Sequence, residues 1–185
     1  MDDKLIIGLA GMPGSGKSTV VRVAEERDYC LIIMGDVVRE EAKRRRLKSN
    51  PENIGKIMLE LRKKEGPAVI AKRCIPKIKR AIRDKVIIDG IRSLDEVEEF
   101  KRHFPKFSLI AVHSSPETRF KWLYRRRRSD DPENWGIFHE RDMRELSVGL
   151  GDAIAMAEYI IVNEGELKAV KEKIREILRR VERNE

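Results

Sequence analysis

The chain has 185 residues, of which 39% are charged and 5% aromatic, with a formal net charge of +8. That length suits one domain with a sizeable core; no period of about 20 to 50 residues recurs, and no run of about 18 apolar residues exists to cross a membrane as a helix. The two cysteines, Cys30 and Cys74, lie far apart in apolar surroundings, which suggests core thiols and neither a disulfide framework nor a zinc pattern, and the positive balance suits phosphorylated partners without choosing among them.

Lys4 to Ala10 is a short apolar, β-branched run that reads as a buried strand close to the start of the sequence. A cytoplasmic protein without a signal peptide is therefore expected. Next comes Gly11-Met12-Pro13-Gly14-Ser15-Gly16-Lys17-Ser18, which fits the pattern G-x-x-x-x-G-K-S/T at every fixed position, and Ser18 to Arg27 reads as the first helix. Glycines let the backbone turn its N–H groups inward, and the helix N-terminus adds partial positive charge, so phosphate oxygens fit the concavity. Lys17 is placed to reach the terminal phosphates, and the Ser18 hydroxyl to ligate a Mg²⁺ ion bridging them.

Cys30 to Met34 reads as a second strand, ending at Gly35-Asp36, where a helix begins and continues to about Leu47. In that helix Glu40 with Arg44 and Glu41 with Arg45 are spaced for ion pairs. Ser49-Asn50-Pro51 breaks the pattern, a helix follows over about Glu52 to Lys64, and Gly66-Pro67 breaks it again. Pro67 suits the first turn of a helix from Ala68 to Arg83, with Ile70, Cys74, Ile78 and Ile82 on one face and a kink at Pro76. Val86-Ile87-Ile88-Asp89 reads as the third strand. A hydrophobic strand ending in a carboxylate beside a phosphate loop is a site for Mg²⁺, so Asp89 is the second candidate metal residue.

Ser93 and Glu96 form a capping box for a helix that turns Leu94, Val97 and Phe100 inward. Phe107 to His113 is the fourth strand, and Ser115-Pro116-Glu117 starts a helix that runs into Arg125-Arg126-Arg127-Arg128. The polar stretch Ser129 to Gly136 follows, and helical character resumes through Arg141 and Arg144. Tyr159 to Val162 is the fifth strand, and the last helix, Glu166 to about Val181, carries Leu167, Val170, Ile174, Ile177, Leu178 and Val181 along one stripe. Strands alternating with helices imply an α/β fold in which a parallel sheet is covered on both faces, with ligands at the carboxyl ends of the strands.

With these segments in place the chain resembles the P-loop nucleoside monophosphate kinases, adenylate kinase especially, and also dephospho-CoA kinase. It is most similar to an archaeal adenylate-kinase-related P-loop family in which the phosphate loop, a Gly-Asp-x-x-Arg segment and an Ile-Asp-Gly-Ile-Arg-Ser-Leu segment recur. The resemblance implies a three-layer P-loop fold of about five parallel strands over residues 1–185, with a helical acceptor arm at about 36–66 and a short lid at about 125–144. It implies ATP and Mg²⁺ as donor and cofactor. Gly35-Asp36-Val37-Val38-Arg39 matches the segment whose arginine grips an acceptor phosphate, and Asp36 matches the aspartate near an accepting hydroxyl. Asp89-Gly90-Ile91-Arg92 supplies a second acceptor clamp, Arg92, one residue earlier than adenylate kinases place theirs. Lid arginines would stabilise the transferring phosphoryl group, with Arg126, Arg141 and Arg144 as candidates beside Lys17 and Asp36. By the same likeness Asn163-Glu164-Gly165 borders the adenine, although a simple turn explains it equally well.

The function these readings support is phosphoryl transfer from ATP to a nucleotide or nucleotide-like acceptor. Dephospho-CoA kinase-like transfer to a hydroxyl is the alternative within that class. A nucleotide-driven switch or RNA-associated ATPase is the alternative from another class; RNA is not favoured as a partner, because no paired-aromatic RNA signature is visible. A GTPase would carry an Asn-Lys-x-Asp motif, which the chain lacks. The abundance of Glu, Lys and Arg and the absence of Gln are the composition of a heat-adapted protein.

Overall fold

Five apolar runs pair side by side, all parallel, in a sheet whose middle strand carries the phosphate loop at its end. The computed structural model describes residues 3–128 and 131–183, so Ser129 and Asp130 of the expected polar stretch lie outside the described residues. The strands are β1 (Leu5–Ala10), β2 (Cys30–Ile33), β3 (Lys85–Ile91), β4 (Phe107–His113) and β5 (Tyr159–Val162), in the order β2-β3-β1-β4-β5. Alternation along β1 splits the core in two. Ile6 and Ala10 face one side, with Val86, Ile88 and Leu109; Ile7 and Leu9 face the other, with Ile87, Ile110 and Val112.

The first face is covered by α2 (Met34–Arg44), α3 (Pro51–Glu65), α4 (Val69–Lys79), α5 (Leu94–His103) and α8 (Leu150–Ala155). The second is covered by α1 (Lys17–Glu25) and α9 (Leu167–Arg183). The expected three-layer P-loop α/β fold is thus the one observed. The remaining helices, α6 (Pro116–Arg126) and α7 (Trp135–Ser147), follow β4 and stand beside the phosphate loop. Among the described residues no helix is long and apolar enough to cross a membrane.

Several local expectations change. α4 stops at Lys79, so Ile82 is fully exposed instead of continuing the buried face. The chain must turn there to enter β3, and Lys4 Nζ holds the turn by donating to the Ala81 and Arg83 carbonyls at 3.0 and 3.1 Å. Pro67 lies before Ala68, the N-cap of α4, and so is outside its first turn. Leu167 opens α9 in solvent at 58% exposure, while Val170 to Val181 keep the buried stripe.

Glu40 pairs with Lys77 at 2.5 Å, leaving Glu41 to take both Arg44 and Arg45, at 2.7 and 2.6 Å. Ser93 caps α5, accepting from the Glu96 N–H at 3.3 Å, but the Glu96 carboxylate accepts from the Arg92 N–H at 2.8 Å rather than closing the box on Ser93. Buried completely, Glu96 also pairs with Arg62 of α3 at 2.5 Å. The short α8 has no counterpart in the sequence reading, because six residues opened by Gly149 at φ +100° carry too little periodicity to register. Cys74 is buried and its thiol is pushed up to about 12 by burial, while Cys30 is half-buried; both are free thiols.

Candidate active site

The loop between β1 and α1 is shaped by glycines in left-handed conformations, at φ +82° for Gly14 and +94° for Gly16. It is packed so closely that a Cβ at Gly16 would stand 2.0 Å from Asn163 Nδ2. Three distant side chains hold it in place. Asn163 Nδ2 donates to the Ser15 carbonyl at 3.0 Å, the Ser114 hydroxyl lies 3.1 Å from the same oxygen, and Arg119 Nη1 donates to the Pro13 carbonyl at 3.1 Å. Asn163 therefore has a bracing task after β5. Glu164 braces the start of α6, accepting from the Ser115 N–H and, at 2.8 Å, from the Thr118 hydroxyl.

Within the loop Lys17 folds back, donating to the Gly11 carbonyl at 2.7 Å and the Met12 carbonyl at 3.3 Å. Ser18 is exposed in the first turn of α1. Ser15 is fully buried, and its hydroxyl has no protein partner.

Asp89 sits at the carboxyl end of β3, opposite Leu9 of β1 on one side and Ile33 of β2 on the other. Gly90, at φ +107°, is an extra residue in the ladder, since Ala10 already pairs with Ile91. Asp89 Oδ1 is buried and has no hydrogen-bond partner. An orphaned carboxylate oxygen costs free energy unless a ligand or water meets it, and a hard cation on a bound phosphate chain would do so. Asp89 with Ser18 therefore fits Mg²⁺ chemistry. Among the described residues no group of three His, Cys, Asp or Glu side chains is placed to hold a metal ion unaided.

α7 brings its own charges to the same place. Burial pushes the Lys17 ammonium down; Asp89 opposes that, Arg92 adds to it, Glu145 opposes it and Arg141 adds to it, and the balance stays below the usual lysine range. Arg92 Nε donates to Glu145 at 2.5 Å. Glu145 is buried at 8% exposure, yet Arg92, Arg141 and Lys17 outweigh the burial and hold its carboxyl below the ordinary value. The Arg92–Glu145 pair and the charges of Asp89 and Arg141 thus act on Lys17 at one end of the sheet.

The other candidates form local pairs or face solvent. Arg39 places Nε and Nη2 on one oxygen of Asp36, at 3.0 and 2.5 Å, with both side chains half-exposed. They line an open groove of about 440 Å³ with Glu40, Lys43, Leu47 and Ser49. Arg126 forks onto Asp131 at 3.0 and 2.5 Å, and Arg144 is exposed on α7.

Two residues central to this architecture escape a reading by motif. Arg119, 3% exposed, donates bidentately to Asp142 of α7 at 2.9 and 2.6 Å, reaches the Ser114 and Pro13 carbonyls, and lies over the Phe138 ring at 4.9 Å. This buried pair couples the phosphate loop to α7, and hence to Arg141 and Glu145. The available signal was helical spacing: Phe138, Asp142 and Glu145 share the buried face of α7, so two carboxylates stand where apolar residues would be expected.

Comparison with known proteins agrees with this architecture. Residues 10–136 match the family described as AAA domain. A UPF0200 protein of Thermococcus sibiricus is 45% identical over 181 residues, covering 96% of this chain and 95% of that one. The chain belongs to the UPF0200 family. A second UPF0200 protein, from Methanothermobacter thermautotrophicus, is 42% identical, with 96% of this chain and 90% of that one covered. A protein of Archaeoglobus fulgidus named UPF0200/UPF0201 is 47% identical across 97% of this chain but only 56% of its own length.

Among solved structures, this UPF0200 chain superposes on TT1252 from Thermus thermophilus with a TM-score of 0.63 at 16% identity, covering 95% and 97% of the two chains. It superposes on shikimate kinase from Acinetobacter baumannii in complex with shikimate with a TM-score of 0.59 at 16% identity, covering 100% and 96%. The expected membership of an archaeal P-loop family holds, and the two solved structures share the fold.

Proposed function

We propose that this UPF0200 protein is an ATP-dependent phosphotransferase that moves the γ-phosphoryl group to a nucleotide-like small molecule. The observation that carries the reading is a braced phosphate loop holding Lys17, with the unpartnered Asp89 carboxylate oxygen at the end of the neighbouring strand and the Arg92–Glu145 pair just after it. Lys17 exchanges its two loop carbonyls for phosphate oxygens, and the loop N–H groups bind the rest of the chain. Asp89 and Ser18 would hold Mg²⁺, which supplies charge neutralisation on the phosphates. Arg92 and Arg141 present guanidinium groups to the equatorial oxygens, where charge spreads during transfer. Glu145 orients Arg92 for that task. Residues 36–66 form the acceptor arm and residues 125–144 the lid that excludes water.

Within this class, the pairing of Arg39 favours a hydroxyl acceptor. Arg39 is engaged by Asp36, so an acceptor phosphate there would have to displace a carboxylate, whereas Asp36 Oδ2 is placed to accept a hydroxyl proton. The test is ATP consumption with Mg²⁺ against each nucleoside monophosphate, dephospho-CoA and single-stranded RNA, with products resolved by mass. A phosphorylated small molecule supports the proposal and names the acceptor. ADP formation that no acceptor changes, or that only RNA stimulates, overturns it in favour of an ATPase.

A further inference from the structure

The chain has ten aromatic residues, and five of them, Phe120, Trp122, Tyr124, Trp135 and Phe138, fall on α6 and α7, both tryptophans included. Phe120 is their hub. Its ring lies 5.3 Å from Trp135, 5.8 Å from Tyr124 and 5.5 Å from Phe138. Phe138 is buried against Arg119, but Trp135 and Tyr124 stay 47% and 51% exposed. Two aromatic rings are therefore held at the surface by one shared support, and neither covers the core.

The same stretch is strongly basic. Residues 118–128 contain Arg119, Lys121 and Arg125 to Arg128, with no carboxylate. Arg119 is committed to Asp142 and Arg126 to Asp131, while Lys121, Arg125, Arg127 and Arg128 are exposed in the same stretch as Tyr124. A second copy of this chain, at a net charge of +8, would bring the same arginines against themselves. Flat π faces next to exposed guanidinium groups complement a polyanion with unpaired bases, whereas a duplex keeps its base faces stacked away from such rings.

We propose that this face of α6 and α7 binds single-stranded nucleic acid. Trp135 and Tyr124 stack on neighbouring bases, and Lys121, Arg125, Arg127 and Arg128 meet the phosphates. None of these side chains is Lys17, Asp89, Arg92, Arg141 or Glu145; Arg125, Arg127, Arg128 and Trp135 fall within the proposed lid, 125–144, and nucleic-acid binding is measured without phosphotransfer.

Because the only two tryptophans are Trp122 and Trp135, the variant Trp122→Phe makes Trp135 the sole reporter of the surface. Its fluorescence is titrated with an oligouridylate of about ten to twelve nucleotides, and wild-type protein is titrated against the same labelled oligonucleotide by anisotropy. Saturable quenching is expected, with an affinity that falls as salt rises by a log–log slope of roughly −0.7 per phosphate neutralised. Tyr124→Ala should bind about tenfold more weakly with ATP binding unchanged. Arg127→Ala combined with Arg128→Ala should flatten the salt slope by about 1 to 2.

The proposal is overturned if neither quenching nor an anisotropy change occurs, or if a duplex of equal length binds as tightly. Quenching by ATP alone, to the same depth and in competition with the oligonucleotide, would reassign the rings to a donor base. A dimer in light scattering that Trp135→Glu dissolves would assign the face to a second copy.

Discussion

The two halves of the candidate site are built differently. The phosphate loop is fixed by residues far along the chain: Arg119 reaches Pro13 from α6, Ser114 and Asn163 reach Ser15 from the ends of β4 and β5, and Asp142 anchors Arg119 from α7. On the α2 side the candidate acceptor pair is local and half-exposed, with Asp36 and Arg39 three residues apart, while the buried Glu41 beside it is shared by Arg44, Arg45 and Arg73. Desolvated long-range pairs make a rigid seat, which suits phosphates that every triphosphate shares. Exposed short-range pairs exchange partners at little cost, which suits a surface that must close on one particular acceptor.

The largest effect should come from breaking the seat. Asp142→Ala leaves the Arg119 guanidinium buried without its anion, and a loss of about 3 to 5 kcal/mol in unfolding free energy is expected by chemical denaturation. A loss below about 1 kcal/mol would mean that the loop does not depend on α7. Lys17→Ala should leave the fold nearly unchanged while triphosphate affinity, followed by calorimetry, falls by about ten- to a hundredfold.

On the α2 side, Arg39→Ala removes a half-exposed pair, so stability should move by about 0.5 kcal/mol or less. Acceptor-dependent transfer should fall while ATP binding stays constant. Equal losses in both would remove Arg39 from the acceptor arm.

The α2 side can also be tested through pH. The hydrogen bonds from Arg44 and Arg45 hold the Glu41 carboxyl at about 2, against 4.5 for the unperturbed group. A depressed folded value means that this contribution is fully present above about pH 4.5 and disappears as the pH falls toward about 2. Wild-type stability should decline over that window more steeply than that of Glu41→Gln, and parallel melting curves for the two would contradict the assignment.

Much of the fold was legible because its causes are local. β4 and β5 fall where their apolar runs end, and α3 and α6 start at Asn50 and Ser115 because those side chains cap the next turn. The ends that shifted, at α4 and at Leu167, depend on where a neighbouring strand lets the chain turn, which no single segment encodes. The candidate site divides the same way. Gly14, Gly16, Lys17 and Asp89 were legible because backbone curvature and a carboxylate at a strand end are properties of a few consecutive residues. Arg92 was legible as a charge but not as the partner of Glu145, 53 residues on.

By itself the sequence determined the phosphate loop, the five strands and the charges able to serve it, since glycine conformations, apolar periodicity and helix caps act over a few residues. Only the tertiary structure decided which of those charges meet. Arg141 and Glu145 come to Lys17 while Asp36 and Arg39 stay on the groove, and Trp135 and Tyr124 gather on Phe120. Such meetings depend on how α6 and α7 pack over the sheet edge, and packing is settled by burial summed over the whole core.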